Sequence, residues 1–130
     1  MSPGRDATAA ERFERGRLLF DRGLFFEAHE AWEEVWLISE GRERRVLQAL
    51  IQIAAGFHKA HRERGARGCV RLLEAGLSRL EREAPLPARL SAFAAAVRAS
   101  LAQARRWERG EIEAIDPASA PLLGPETGVK

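Results

Sequence analysis

The sequence predicts an all-α protein, a compact bundle of about five helices with no sheet. Apolar residues recur at helical spacing in five segments, and no segment alternates apolar and polar residues over a useful length. The length of 130 residues suits one domain with a single core. We therefore expect a flexible N-terminus over residues 1–8, one helical domain over 9–109, and a Pro- and Gly-containing, loosely attached tail over 110–130.

The first two helices have clear boundaries in the sequence. Helix α1 is predicted from about Ala9 to Arg22, because Thr8 suits the N-cap and Glu11, three residues later, completes a capping box. Gly23 ends α1. Helix α2 is predicted from about Phe25 to Ile38, where the loop of Ser39, Glu40 and Gly41 begins.

The other three helices differ in how many apolar faces they carry. Helix α3, predicted from Arg42 to about Arg64, is apolar on two sides and should be the central helix. One side carries Leu47, Leu50, Ile51, Ala54, Phe57, His58 and His61, and the other Ala49, Ile53, Gly56 and Ala60. Helix α4, from about Ala66 to Arg82, has the single stripe of Cys69, Val70, Leu73, Gly76, Leu77 and Leu80. Helix α5, from Pro87 at its first position to about Trp107, has the stripe of Leu90, Phe93, Ala94, Val97, Leu101 and Ala104.

Charge and cysteine content argue against several classes of function. The net charge is only +2, and acidic residues are interleaved with basic ones, which argues against a nucleic-acid-binding face. A single cysteine, Cys69, allows no intramolecular disulfide and fits a reducing compartment. The start of the chain has no apolar signal region, and no stretch approaches 18 apolar residues. We therefore expect a cytoplasmic protein without a membrane segment.

The stretch HEAWEEVW, residues 29–36, concentrates polar and aromatic side chains. At 100° per residue, the neighbouring rings of Phe25, Phe26, Trp32 and Trp36 fall within about 60° of His29 on the helix surface. Glu33, at i+4, lies in the same stripe. This pattern predicts that His29 and Glu33 are buried against aromatic rings. An unpaired buried polar group costs about 1 to 3 kcal/mol, so both residues should have partners.

Two resemblances arise from these residues. His29, Glu33 and Trp36 form the pattern HxxxExxW, preceded by Gly23, Phe25, Phe26, Glu27 and Ala28 and followed by LQALIQIAAGFH from Leu47 to His58. Over residues 13 to 80, roughly, the chain resembles the bacterial and archaeal family of domain of unknown function 309. The resemblance implies an all-helical fold and a suggested metal role for His29 and Glu33, without a substrate or reaction. Helices α1 and α2 also resemble the helical hairpin of a tetratricopeptide repeat, through Gly16, Leu19, Gly23, Phe25, Glu27, Ala28 and Trp32.

Two arrangements could satisfy His29 and Glu33. In an antiparallel pair of helices, Gln48 and Gln52 of α3 lie level with Glu33 and His29, so their amides could complete a hydrogen-bond network. Alternatively, the pair could bind a divalent metal such as zinc with His58, and His61, as further ligands. On that register His58 lies about 9 Å along the helix axis from the pair, which favours the network.

The arginines at the start of α3 raise a further alternative. Arg42, Arg44 and Arg45 oppose the helix dipole and therefore need a partner. Nearby acids, Glu34, Glu40 and Glu43, are the expected partner, and an anionic ligand or phosphate backbone is the alternative.

No nucleophile with an adjacent base, phosphate loop or cofactor fingerprint appears in the sequence. The leading hypothesis is thus a non-enzymatic interaction or self-associating module with a polar site formed by His29, Glu33, Trp36, Gln48 and Gln52. The alternative is a metal-dependent hydrolase, or a metal or small-ligand binder, at His29 and Glu33. A homo-oligomer fits the first hypothesis if Ile38 and part of the small-residue face of α3 stay uncovered. The partner would otherwise be another protein or a small molecule.

Overall fold

Five helices follow one another along the chain in the computed structural model, which describes residues 8–116 and 119–125. Their bounds are α1 Ala9–Asp21, α2 Phe25–Leu37, α3 Gly41–His61, α4 Ala66–Glu81 and α5 Ala88–Glu108. The all-α class is confirmed, and no strand occurs among the described residues. No helix in the described part of the chain is both long enough and apolar enough to cross a membrane. The predicted flexible N-terminus lies, apart from Thr8, outside the described residues.

The helix ends follow local chemistry within three residues of the predicted bounds. The capping box of α1 is formed, since the Thr8 amide donates to the Glu11 carboxylate and the Glu11 amide donates to the Thr8 hydroxyl, at 2.8 and 3.1 Å. Pro87 is the N-cap of α5 and not its first helical residue. Helix α3 ends at His61, three residues before the predicted end, and the chain then turns through Arg64 with a φ of 53°.

The core is built around the Phe20 ring of α1. Rings of Phe25, Trp32, Phe57 and Phe93, from α2, α3 and α5, lie with their centroids 5.0 to 6.0 Å from it. Aromatic pairs at this separation add to the energy of burial. Phe20 therefore joins four of the five helices at one point.

Helix α3 lies between α2 and α4 and is buried on both predicted apolar sides. Glycines let α3 and α4 approach closely: a Cβ on Gly76 would lie 2.9 Å from the carbonyl oxygen of Ala49, and one on Gly56 would lie 2.8 Å from Leu73. The small-residue face of α3 is therefore covered by α4. The expectation that part of this face remains uncovered is wrong, whereas Ile38 is exposed as expected.

The segment after α5 contacts the bundle more closely than expected. Ile115 and Leu123 are buried in the core. The amides of Leu123 and Gly124 donate to the two carboxylate oxygens of Asp21, at 2.8 and 3.0 Å, and Arg89 donates to the Gly124 carbonyl at 2.9 Å. The expectation of loose attachment is thus corrected for the described part of this segment. These contacts are made by isolated residues that show no helical periodicity. A search for apolar periodicity therefore does not reveal them.

Candidate functional site

The orientation of α2 determines how His29 and Glu33 meet their surroundings. The buried face of this helix consists of Phe25, Ala28, Trp32 and Val35. Its centre is about 80° from His29 on the helix surface and about 120° from Glu33, at 100° per residue. The His29 side chain is accordingly 25% exposed and that of Glu33 53% exposed. The prediction that Glu33 is buried is wrong, and His29 lies at the rim of the core.

The error has a specific cause in the aromatic pattern. The aromatic stripe centres on His29 only if all of its rings face the core, but Phe26 is exposed. Two smaller residues, Ala28 and Val35, define the other side of the buried face. Trp32 is fully buried, and its indole Nε1 donates to the Phe13 carbonyl at 3.1 Å, which fixes the rotation of α2 against α1.

His29 and Glu33 lie close to one another and beside an exposed ring. His29 Nε2 is 3.7 Å from Glu33 Oε2, and the His29 ring stacks on Phe26 with the centroids 6.2 Å apart. His29 Nδ1 is buried and has no hydrogen-bond partner among the described residues. The pair is therefore a surface ion pair when His29 is protonated, and such pairs contribute little to stability.

The predicted hydrogen bonds of His29 with the glutamines are not formed at His29 Nδ1 or at Gln52 Oε1. Gln52 Oε1 is buried and, within the described residues, has no hydrogen-bond partner, like Nδ1 of His29. Gln48 instead lines a cavity with Trp36. Because Glu33 points outward, it is not placed to accept hydrogen bonds from amides on the edge of α3.

The other two histidines contact aromatic rings near this pair. His58 packs on Phe26, at 5.4 Å between centroids, and its Nε2 lies 3.6 Å from the Glu63 carboxylate. His61 packs against Phe25 and Phe57, and burial lowers its pKa. Phe26 thus contacts both His29 and His58.

The described residues do not bring together a complete set of protein ligands for a metal. Zinc sites take three or four protein ligands, and His29 with Glu33 supplies two. No group of three or more His, Cys, Asp or Glu side chains with suitable placement occurs in the described segments. Cys69, in the core, is no substitute, because burial raises the pKa of its thiol to about 12.

The arginines of α3 find partners that the sequence did not indicate. Arg45 donates twice to the Glu83 carboxylate, at 2.9 and 3.2 Å, and Arg42 donates to the carbonyls of Glu83 and Pro85. The hydrogen bond from Arg45 holds the pKa of Glu83 below its usual value. Arg44 stacks on Trp36, with its guanidinium carbon 3.7 Å from the ring centroid. The expected partners, Glu34, Glu40 and Glu43, do not pair with them in the described structure.

A cavity beside this stack is lined by a residue, Arg79, that the sequence pattern does not indicate. Trp36, Arg44, Arg45 and Gln48 line it together with Gly41 and with Arg79 from the last turn of α4. No sequence signal relates Arg79 to α3, because their proximity depends on how α3 and α4 pack.

Comparison with known protein families gives a match over the part of the chain that contains the HxxxExxW pattern. Residues 13–72 match the model of a family described as Domain of unknown function (DUF309). This span contains α1 from Phe13 onward, all of α2 and α3 and the first part of α4, and therefore His29, Glu33 and Trp36. No curated protein and no solved structure matches the chain. Over residues 13–72, the chain is thus similar to the DUF309 family.

Proposed function

We propose that this protein is a non-enzymatic interaction module that pairs with a second copy of itself through the outer face of α2. The observation that carries this proposal is the exposure of Phe26 and Leu37, 47% and 69%, on one side of that helix. Leu37 is 11 residues after Phe26, so the two side chains project within about 20° of each other and lie about 17 Å apart along the axis. Glu30 and Glu33 lie between them, and these four residues form what we call the outer stripe.

The symmetry of the outer stripe favours a second copy as the partner. A two-fold interface requires that one surface be complementary to itself. If two copies of α2 pack antiparallel about a point between Glu30 and Glu33, Phe26 of each copy meets Leu37 of the other. Each apolar end of the stripe is then covered by an apolar side chain of the partner copy.

The centre of the outer stripe sets the expected strength of pairing. Antiparallel packing brings Glu30 of one copy near Glu33 of the other, and these like charges oppose association. His29, 3.7 Å from Glu33, lies beside them and can offset part of the repulsion when it is protonated. An interface of four residues from one helix of each copy is small, and small interfaces belong to the weak, transient class. We therefore expect dissociation constants in the micromolar range or weaker, with association that strengthens as salt screens the glutamates.

Sedimentation of the full chain over a range of concentrations tests the proposal. The wild-type mass should rise with concentration, and Leu37→Glu should abolish the rise because it adds a charge at the apolar contact. Leu122→Glu is the matched control: Leu122 is 67% exposed but lies in the segment after α5. This control should self-associate like the wild type.

Two results would contradict the proposal. One is a monomer mass for the wild type at all concentrations up to the millimolar range. The other is a mass that rises equally in wild type and Leu37→Glu. Elemental analysis of the same samples addresses the alternative function: a stoichiometric transition metal lost in His29→Ala would favour a metal-binding role over an interaction module.

A further inference from the structure

A cavity of about 420 Å³, wide open to solvent, lies where the end of α2, the start of α3 and the end of α4 meet. Six residues of the described segments line it, namely Trp36, Gly41, Arg44, Arg45, Gln48 and Arg79. Three of them are arginines, and none is acidic. The chain as a whole has 19 acidic and 21 basic side chains, so a cavity wall with only one sign of charge departs from its general pattern.

Two of the three arginines keep an uncompensated charge. Arg45 is neutralised by the bidentate hydrogen bonds to Glu83. Arg44 and Arg79 have neither an ion pair nor a hydrogen bond with another residue of the described segments. Their positive charges therefore add in the cavity and would attract an anion.

The stacking of Arg44 on Trp36 holds one of these charges in place. The guanidinium carbon is 3.7 Å from the indole centroid, so the side chain is ordered by a cation–π contact. The N–H donors of a guanidinium lie in its own plane, and stacking leaves them able to bind an acceptor. An arginine ordered in advance loses less entropy when a ligand binds.

We propose that this cavity binds the phosphate group of a small phosphorylated molecule. Guanidinium groups match phosphate oxygens with paired hydrogen bonds, and the two uncompensated charges match a dianion. The Gln48 amide can donate a further hydrogen bond. Gly41, at the start of α3, adds only the partial charge of a helix end, and the assignment rests on the arginines and the indole.

The site is separate from the outer stripe, since neither Phe26 nor Leu37 lines the cavity. The proposal is therefore independent of self-association. Leu37→Glu should bind phosphate like the wild type, so failure of one proposal leaves the other testable.

Calorimetric titration of the full chain with inorganic phosphate at low ionic strength tests the site. We expect saturable binding at one site per chain, at least tenfold weaker in Arg44→Gln and in Arg79→Gln. Arg79 is exposed and makes no described contact, so its loss leaves the fold intact, as a melting curve will verify. Arg67→Gln is the matched control, because Arg67 is exposed on the same helix about 18 Å from Arg79 along the axis. It should bind within twofold of the wild type.

Three outcomes would overturn the assignment. The first is no saturable binding at millimolar phosphate. The second is equal weakening by Arg67→Gln and Arg79→Gln, which would indicate general attraction to a basic protein. The third is tight, strongly salt-dependent binding of an eight-nucleotide single-stranded DNA in preference to phosphate, which would identify an extended phosphate backbone as the ligand.

Discussion

At the scale of single residues, the contact between Gly16 and Trp32 determines how closely α1 and α2 pack. A Cβ at Gly16 would lie 2.5 Å from the indole Cδ1 and Nε1 of a ring that is fully buried and hydrogen-bonded. Gly16→Ala should therefore lower the free energy of unfolding by about 1 to 3 kcal/mol, the usual cost of overpacking. Urea denaturation measures this change.

Gly68→Ala is the control for that substitution. Its Cβ would lie 3.2 Å from Cδ of Lys59, a flexible side chain that can move aside. Alanine is favoured over glycine inside a helix by about 0.5 to 1 kcal/mol, so this variant should be neutral or more stable. Equal destabilisation of both variants would show that the indole contact is not what limits the packing.

Another residue-scale prediction concerns the dependence of stability on pH through His61. Burial lowers its pKa in the folded state below the ordinary value of 6.5, and the charge of Asp116 offsets part of this effect. Between the folded pKa and about 6.5 the unfolded chain binds more protons, so stability falls as pH falls through this window. Above the window the stability due to His61 is fully present. The free energy of unfolding should thus drop between pH 7.5 and pH 5 by more in the wild type than in His61→Gln, and equal drops would contradict the assignment.

At the scale of elements, Asp21 at the end of α1 anchors the segment 119–125. Its two carboxylate oxygens accept hydrogen bonds from the amides of Leu123 and Gly124. Asp21→Ala should release these amides, accelerate their hydrogen exchange at least tenfold, and cost about 1 to 3 kcal/mol of stability.

Arg17→Gln is the matched control for this anchor. It removes the 3.4 Å ion pair with Asp21 but leaves the carboxylate in place, so exchange at Leu123 and Gly124 should stay slow. If Arg17→Gln accelerated exchange as much as Asp21→Ala, the anchor would depend on the ion pair and not on the two hydrogen bonds.

At the scale of the whole molecule, the sequence predicts the helices better than their rotations. Five amphipathic segments can bury their apolar faces only against one another, which is why the bundle and the central position of α3 follow from periodicity. The rotation of α2 does not follow, because the sequence cannot tell a buried ring from an exposed one, and Phe26 is exposed. The positions of Arg79 and Glu83 near the start of α3 cannot be predicted for a related reason. Both residues approach α3 only because α4 packs against it.

Disulfide cross-linking between two variants, each with one added cysteine, tests the antiparallel pairing of α2. Phe26→Cys and Leu37→Cys proteins are mixed and oxidised, while Cys69 stays silent because it is buried. A disulfide requires α-carbons within about 7 Å, so it reports which residues face each other. Antiparallel pairing predicts cross-linked heterodimers of the two variants and few homodimers of either. Homodimers in preference to heterodimers, or no cross-link at concentrations where the mass of the wild type rises, would contradict it.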